Sequence, residues 1–180
     1  MRKLLFVLLC FATYKVQAQT LVMNDETTEV KYLTTHLAGQ LEGNFKGVEG
    51  TARFDSNEVD NAYIKLSFTT SSITTNDNLA GPNLIKVRCF NPAKYPVVEI
   101  TSNAISKLAP GKYQFKGLLK IKGITRPVTF PFSATANAGG YDFNFSFSFV
   151  KKNFGLHCGA TTGRRFKLVV RAYAKEGKQP

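Results

Sequence analysis

The sequence predicts an all-β protein, an antiparallel eight-stranded barrel with one short helical segment. Between residues 113 and 149, apolar and polar side chains alternate with a period of two, which is typical of strands with one buried face. Similar alternation recurs on both sides of that stretch, and many of the inward positions are aromatic. Glycines spaced through one predicted strand allow the sheet to curl. A two-sheet sandwich is the alternative, but a closed barrel leaves no exposed sheet edge and is favoured.

The stretch from 113 to 149 contains three strands. Residues 137–140, Asn-Ala-Gly-Gly, form the turn before the third strand, YDFNFSFSFV. A helix would scatter the four phenylalanines of this strand around its circumference, whereas a strand places them in one line. The positions on the apolar face are Tyr113, Phe115, Gly117, Leu119 and Ile121, then Val128, Phe130, Phe132 and Ala134, then Phe143, Phe145, Phe147 and Phe149.

The rest of the chain supplies the other strands. Alternation at residues 30–35, 64–69, 96–105 and 165–174 predicts four of them. Residues 39–55 predict a fifth, in which glycines recur every three or four positions and mark bulges or sharp bends.

Only residues 78–90 break the β pattern. Their apolar side chains, Leu84 and Val87 among them, do not alternate, and Pro92 follows just after. We expect a short helix or helical turn there, capped near Asn83.

Residues 1–18 have the pattern of a signal peptide. A basic start, an apolar run too short to span a bilayer and a Val-Gln-Ala cleavage site follow one another there. We therefore expect a periplasmic or secreted protein that begins at Gln19, with residues 19–180 folded as a single domain.

The chain is basic, with a formal net charge of +12. Loss of the predicted signal peptide removes three positive charges and no acid. Export makes nucleic acid an unsuitable partner, so we expect none. An anionic membrane surface fits better, at about 1 kcal/mol for each Lys or Arg close to it. A generic solvated surface is the alternative, because no run of like charge forms a patch in the sequence.

Few residues suggest chemistry. Export leaves Cys89 and Cys158, which permit one disulfide in an oxidising compartment, with two separate thiols as the alternative. His36 and His157 have neither the HxH nor the HExxH spacing of metal sites. No GxSxG, P-loop or GxGxxG motif occurs, and Asp142 has no second carboxylate placed to pair with it. We expect neither a catalytic site nor a metal site.

The aromatic positions leave two interpretations of the barrel interior, a packed core or the lining of a cavity for a long apolar ligand. Eight strands enclose just enough space for side chains or for one small ligand. The many aromatic rings favour the interpretation as a ligand cavity, because a core that only needs to be densely packed more often uses Leu, Ile and Val. An elongated cavity would support the ligand interpretation, and dense interdigitation the packed core. The predicted lining residues are Tyr32, Leu66, Phe68, Tyr113, Phe115, Leu119, Ile121, Val128, Phe130, Phe132, Phe143, Phe145, Phe147, Phe149, Phe166, Leu168 and Val170.

Four segments together resemble the YceI family. They are residues 72–75 (Ser-Ile-Thr-Thr), 89–96 (Cys-Phe-Asn-Pro-Ala-Lys-Tyr-Pro), 117–128 and 153–156 (Asn-Phe-Gly-Leu). The resemblance covers about residues 27–174. It implies an exported, lipocalin-like barrel whose interior accommodates a polyisoprenoid chain. The resemblance therefore implies that the protein is a carrier or reservoir of an isoprenoid lipid or quinone. We expect no other cofactor, and we expect the protein to be a monomer or a homodimer.

One family feature is missing. The place of the family's Arg-Asp-x-His-Leu segment is taken by residues 80–84, Ala-Gly-Pro-Asn-Leu, in which only the leucine is retained. If that segment shapes the barrel mouth, the ligand headgroup or the partner differs here. The alternative function is a non-catalytic structural or adaptor module of the cell envelope with a fully packed core. Extractable lipid in the purified protein separates the two functions.

Overall fold

The structure is a computed structural model that describes residues 20–36, 39–77, 81–159 and 162–177. The predicted signal peptide, residues 1–18, lies outside the described residues. The strands are β1 Thr20–Asn24, β2 Thr28–His36, β3 Gly39–Arg53, β4 Tyr63–Thr69, β5 Val97–Ala109, β6 Lys112–Ile121, β7 Ile124–Asn137, β8 Gly140–Val150 and β9 Thr162–Glu176. The helix α1 is Gly81–Leu84, and 3-10 turns cover Thr70–Ser72 and Lys151–Phe154. Within the described ranges, no helix is long and apolar enough to cross a bilayer.

The strands close into a barrel with eight strand positions. Neighbours follow the order β3-β2-β9-β8-β7-β6-β5-β4, and β4 pairs again with β3, for example through Thr51 opposite Lys65. All these pairings are antiparallel. β1 continues the line of β2, because both lie between β3 and β9. The predicted eight-stranded antiparallel barrel is therefore confirmed, with β1 and β2 sharing one position.

The glycine-spaced strand β3 bulges where β1 bends into β2. The register of β3 with β4 shifts between Lys46 and Glu49, and Gly47 in that interval has a φ of +66°. This left-handed conformation favours glycine, because it has no Cβ to clash. The Asp25 carboxylate accepts hydrogen bonds from the backbone N–H groups of Gly47 and Val48, both at 2.9 Å. The bend of one strand is thus bonded to the bulge of its neighbour.

β7 and β8 pair along only part of their length. The pairs begin at Phe132 and continue to the turn that joins the two strands. Residues 124–131 of β7 and 146–150 of β8, all of them described, form no pairs with each other. Pro127 and Pro131 in this part of β7 have no N–H to donate to a neighbouring strand. We call this interruption of the wall the β7–β8 gap.

The two ends of the barrel are closed differently. At one end, residues 81–96, the second part of the connection from β4 to β5, lie across the opening and bury Leu84 and Phe90. We call these residues the cap segment and this end the capped end. The opposite end, the far end, is formed by residues 54–62 and by the β5–β6 and β7–β8 turns.

The helical segment differs from the prediction in its start. α1 begins at Gly81, so Asn83 lies inside the helix and does not cap its first turn. Pro82 is well suited to the first turn, because helix starts leave N–H groups unbonded and proline has none. The Asn83 side chain instead accepts a hydrogen bond from the Lys86 ammonium at 2.9 Å. Residues 78–80 of the predicted segment lie outside the described residues.

Candidate functional site: the barrel interior

The predicted lining residues all face the core of the barrel, and sixteen of the seventeen are buried. Val128 is the exception, since it is half-buried and packs against the core from the edge of the β7–β8 gap. The buried members are Tyr32, Leu66, Phe68, Tyr113, Phe115, Leu119, Ile121, Phe130, Phe132, Phe143, Phe145, Phe147, Phe149, Phe166, Leu168 and Val170.

Four phenylalanines on three neighbouring strands form a stack behind the β7–β8 gap. The ring centroids of Phe115 and Phe130 are 4.5 Å apart, and so are those of Phe130 and Phe147. Phe145 stacks on Phe130 at 5.1 Å. Offset stacking of this kind adds about 0.5–1.5 kcal/mol per pair beyond burial alone. The rings give this side of the interior a flat, wholly apolar surface.

The β8 rings beside the gap are less buried than the ring in the paired part of the strand. Phe145 and Phe147 are each 9% exposed and Phe149 is 6% exposed, whereas Phe143 is 1% exposed. Phe147 and Phe149 lie in the part of β8 that has no β7 partner, and Phe145 forms the last pair before that part, so the difference in burial coincides with the edge of the gap. The gap is therefore the place where the aromatic interior comes nearest to solvent along this strand.

The prediction missed four buried phenylalanines, namely Phe45, Phe54, Phe90 and Phe154. Phe45 lies on the glycine-spaced strand, where the bulge shifts the alternation, although its polar neighbours Asn44 and Lys46 were a local signal. Phe90 belongs to the non-periodic cap segment and packs near Phe45, with ring centroids 5.8 Å apart. Phe54 follows the end of β3 and fills the far end of the barrel.

Phe54 closes the far end by edge contacts with three aromatic rings on two strands, β6 and β8. Its ring centroid lies 5.0 Å from that of Tyr113, 4.9 Å from that of Tyr141 and 5.2 Å from that of Phe143. All three contacts are close to perpendicular, which is a favoured geometry for aromatic pairs. A single side chain on a loop thus seals this opening.

A small cavity lies inside the barrel beneath the cap segment. Its volume is about 10 Å³, which is about the space that one water molecule needs. The barrel's own side chains fill the surroundings, so the cavity in this conformation does not hold an extended chain. Its lining residues are Tyr32, Phe45, Phe68, Phe90, Val98, Ile121, Phe149, Phe166 and Leu168.

The cap segment is fastened by one covalent bond and a few polar contacts. Cys89 and Cys158 form a disulfide with a Cα–Cα distance of 4.5 Å. Beside it, the backbone N–H of His157 donates to the Arg88 carbonyl at 2.7 Å. The Lys122 ammonium donates to the same carbonyl at 3.0 Å and to the Gly155 carbonyl at 2.9 Å. Burial lowers the pKa of Lys122, so this cation is partly withdrawn from water.

The barrel, the cap segment and the motifs that join them match one family. A profile described as a YceI-like domain matches residues 21–174. The chain belongs to the YceI-like domain family. The resemblance seen in the sequence is therefore confirmed.

Two relatives show how far the sequence likeness extends. The chain is 25% identical over 134 residues to a UPF0312 protein of Shewanella denitrificans, which covers 71% of this chain and 70% of the relative. It is 31% identical over 101 residues to Protein YceI of Escherichia coli O6:H1, which covers 56% of this chain and 52% of the relative. The match thus spans about half the length of Protein YceI.

Two solved structures share the fold of this YceI-like domain. BcnA of Burkholderia cenocepacia superimposes with a TM-score of 0.77 at 20% identity, over 82% of this chain and 96% of BcnA. A polyisoprenoid binding domain from Saccharophagus degradans superimposes with a TM-score of 0.70 at 10% identity, over 89% of this chain and all of that domain. At such identities the likeness establishes the fold alone.

The polar groups inside the YceI-like barrel are neutral. The buried polar side chains of the described residues are threonines, and the Tyr32 hydroxyl donates to the Thr74 carbonyl at 3.0 Å. Burial raises the pKa of Tyr32, against the opposing effect of a hydrogen bond with Thr75. Burial also raises the pKa of Tyr113, with smaller contributions from Tyr141 and Asp55. Both phenols therefore stay protonated at neutral pH, and the interior suits an uncharged ligand.

Residues considered for metal binding are placed apart or are otherwise engaged. Cys158 is bonded to Cys89, and the side chain of its neighbour His157 is exposed. Among the described residues, no three His, Cys, Asp or Glu side chains come together as a metal site would require. The Asp142 carboxylate lies on the outward side of β8 and accepts a hydrogen bond from the Asn137 amide at 2.8 Å.

Proposed function

We propose that this protein is an exported, non-catalytic binding protein that holds a long apolar lipid, polyisoprenoid or quinone-like, in the barrel interior. The single observation that carries the proposal is the continuous aromatic interior, in which the described residues bury no charged side chain. The shared fold with the polyisoprenoid binding domain from Saccharophagus degradans supports it. The protein would act as a carrier or a reservoir.

The energy for binding would come from burial of the lipid tail. Each CH₂ group moved out of water contributes about 0.8 kcal/mol, so a few isoprene units offset the several kcal/mol lost when a flexible chain is immobilised. Flat rings are suitable walls for such a chain, because each has only two side-chain torsions to fix. A neutral interior also avoids the cost of placing a charge beside the tail.

Room for the tail must come from movement of the barrel. The cavity beneath the cap segment has about 10 Å³, so rings must swing aside as a ligand enters. The β7–β8 gap is the place where this costs least, because residues 124–131 and 146–150 can separate without loss of pairing between them. We propose that the tail enters between these strands and displaces the stack of Phe115, Phe130 and Phe147.

The stacked rings and the small cavity favour a second candidate function. A packed interior of this kind is what a structural or adaptor module of the envelope would need. In that case the outer surface would carry the function, and the aromatic core would serve stability alone.

Native mass spectrometry of protein purified without detergent from its own host separates the two functions. The carrier is expected to show an adduct of lipid mass that organic extraction removes and that added polyprenol or quinone restores. A protein that carries no adduct and gains none from either lipid would contradict the carrier and support the packed module.

Export is a separate part of the proposal. The sequence pattern of residues 1–18 supports it, and the Cys89–Cys158 disulfide is typical of proteins in oxidising compartments. N-terminal sequencing of the protein from its host is expected to begin at Gln19 or within a residue or two of it. A soluble cytoplasmic protein that retains Met1 would remove this part of the proposal.

A further inference from the structure

The capped end of the barrel carries a concentration of positive charge. Residues 81–96, 122–126, 151–159 and 162–165 meet at this end and contain no Asp or Glu. We call their cationic side chains the basic rim, which includes Lys86, Arg88, Lys122, Arg126, Lys152 and Arg164. The prediction that charge forms no patch in the sequence holds for the linear chain, but the fold brings these segments together.

One acidic residue near the rim is already paired with a lysine outside it. Glu99 on β5 is paired with Lys120 at 2.7 Å. Two further ion pairs join Glu29 to Lys31 and to Arg171, on the side of β2 and β9.

Part of the rim is structural and part is free to bind. The Lys122 and Lys151 ammonium groups donate to backbone carbonyls, with Lys151 bonded to Gly159 and Thr162. By contrast, Arg88, Lys152 and Arg164 form no ion pair within the described part of the chain. With His157 they line an open groove of about 470 Å³.

Exposed apolar side chains accompany these cations on the cap segment. Val87 is 74% exposed, the highest value among the large apolar side chains of the described residues, and Ile85 is 47% exposed. They alternate in sequence with Lys86 and Arg88. The disulfide at Cys89 holds this stretch against the barrel, so the apolar pair is presented from a fixed position.

We propose that the capped end is a docking surface for an anionic lipid bilayer. Ile85 and Val87 would insert into the headgroup region, and the basic rim would bind the lipid phosphates around them. Charge complementarity favours an anionic partner, and the apolar pair favours a bilayer, since a soluble polyanion would leave Val87 in water. Docking needs no ligand in the interior, so this proposal goes beyond the binding function. It also places the β7–β8 gap close to the membrane.

Vesicle co-sedimentation of the full mature protein tests the proposal. Binding is expected to phosphatidylcholine vesicles that contain phosphatidylglycerol and to be weak with phosphatidylcholine alone. The variant R88Q/K152Q/R164Q is expected to lower the partition coefficient roughly 100-fold. The variant I85S/V87S keeps all charges and is expected to lower it roughly 10-fold.

Matched controls lie away from the capped end. The variant K112Q/K116Q/K175Q makes the same change in net charge, and Leu108→Ser removes an apolar side chain that is 56% exposed near the far end. Both are expected to bind vesicles like the unmodified protein. If K112Q/K116Q/K175Q lowers the partition coefficient as much as R88Q/K152Q/R164Q does, binding depends on net charge alone and the proposed docking surface is wrong.

Binding to a soluble polyanion tests whether the partner is a bilayer or an acidic polymer. If heparin binds as strongly as the vesicles and I85S/V87S binds both without loss, an acidic polymer is the partner and the bilayer proposal is wrong. Lipid adducts in the interior, measured on the same variants, should be unchanged. Failure of docking would therefore leave the interior binding proposal standing.

Discussion

The two halves of the barrel are closed by different means. In the far half, β7 and β8 are paired and Phe54 fills the opening through edge contacts with Tyr113 and Tyr141. In the capped half, β7 and β8 are unpaired and residues 81–96 cover the opening, tied down by a disulfide and by the Lys122 ammonium. Charge follows the same division, since residues 54–62 at the far end contain three acidic residues and the cap segment contains none.

This difference indicates which half can open. Movement of the far half would break the backbone hydrogen bonds between β7 and β8, and it would also expose the aromatic rings that contact Phe54. Movement of the capped half requires only that unpaired strands separate and that one short segment lifts. Both proposals, ligand access through the β7–β8 gap and docking at the basic rim, therefore concern the same half.

The largest expected effect comes from removal of the bond that holds the cap segment. The double variant C89A/C158A is expected to lose roughly 4 kcal/mol of unfolding free energy, because the bridge spans 69 residues and restricts the unfolded chain. Urea unfolding under non-reducing conditions measures this loss. Because the cap segment is then held only by the burial of Leu84 and Phe90 and by polar contacts, lipid exchange is also expected to accelerate.

Reduction of the unmodified protein with dithiothreitol is the matched control for that variant. It should reproduce the same loss without any change in side-chain packing. A loss below about 1 kcal/mol in both would show that the cap segment is held mainly by non-covalent contacts. The contrast between the two halves would then be much weaker.

The next effect compares the two phenylalanines that close the ends. Phe54→Leu removes four edge contacts and is expected to cost about 2 kcal/mol, while Phe90→Leu removes two, to Phe45 and Phe166, and is expected to cost about 1 kcal/mol. The midpoints of urea unfolding, with the disulfide intact in both, give the comparison. A larger loss of unfolding free energy for Phe90→Leu than for Phe54→Leu would mean that the capped half, and not the far half, is the more rigid one.

The regular strands were predictable because their interior faces are continuous. In β8 every second residue from Phe143 to Phe149 is phenylalanine, and the structure pairs this strand with β9 along its length. β1 was not predicted, because its burial rests on Leu21 and Met23 alone and it lies next to the predicted signal peptide. Because β1 fills only part of the barrel position that it shares with β2, it needs few apolar residues of its own.

The irregular half was harder to predict for physical reasons. β7 begins at Ile124, before the alternation that starts at Val128, and Arg126 occupies the register position opposite the buried Leu119. The β7–β8 gap lets this arginine leave the interior, and its Nε donates to the Asn153 carbonyl. The cap segment has no periodic pattern at all, so the burial of Phe90 depends on contacts that only the fold creates.

A substitution in the wall tests whether the lipid occupies the capped half. Phe145→Leu is expected to cost about 1 kcal/mol of stability and to lower the lipid adduct several-fold, because it removes a ring from the stack behind the gap. Phe143→Leu, one inward position further from the gap on the same strand, should cost as much stability and leave the adduct unchanged. Native mass spectrometry and urea unfolding on both variants measure the two effects. Equal loss of adduct would extend the site into the far half.

A charged residue at the same place gives a more severe version of this test. Phe145→Asp or Phe147→Asp is expected to abolish lipid binding, because a carboxylate beside the tail must stay hydrated. Circular dichroism shows whether the strands remain. If the lipid adduct persists at full occupancy in a folded Asp variant, the tail does not pass this point of the wall.

The smallest effect concerns the Tyr32 hydroxyl beneath the cap segment. Tyr32→Phe removes its hydrogen bond to the Thr74 carbonyl and is expected to cost about 0.5–1 kcal/mol at neutral pH. Burial raises the pKa of this phenol above its ordinary value of 10.0, so folding favours the protonated form. The stability linked to it is complete below pH 10.0 and is lost as the pH rises through the higher pKa of the folded protein. Urea midpoints of the unmodified protein should therefore fall above pH 10.0 more steeply than those of Tyr32→Phe, and the two curves should converge. Parallel curves would mean that water reaches the phenol at the capped end, and that the cap segment does not seal the interior as the disulfide and Phe90 suggest.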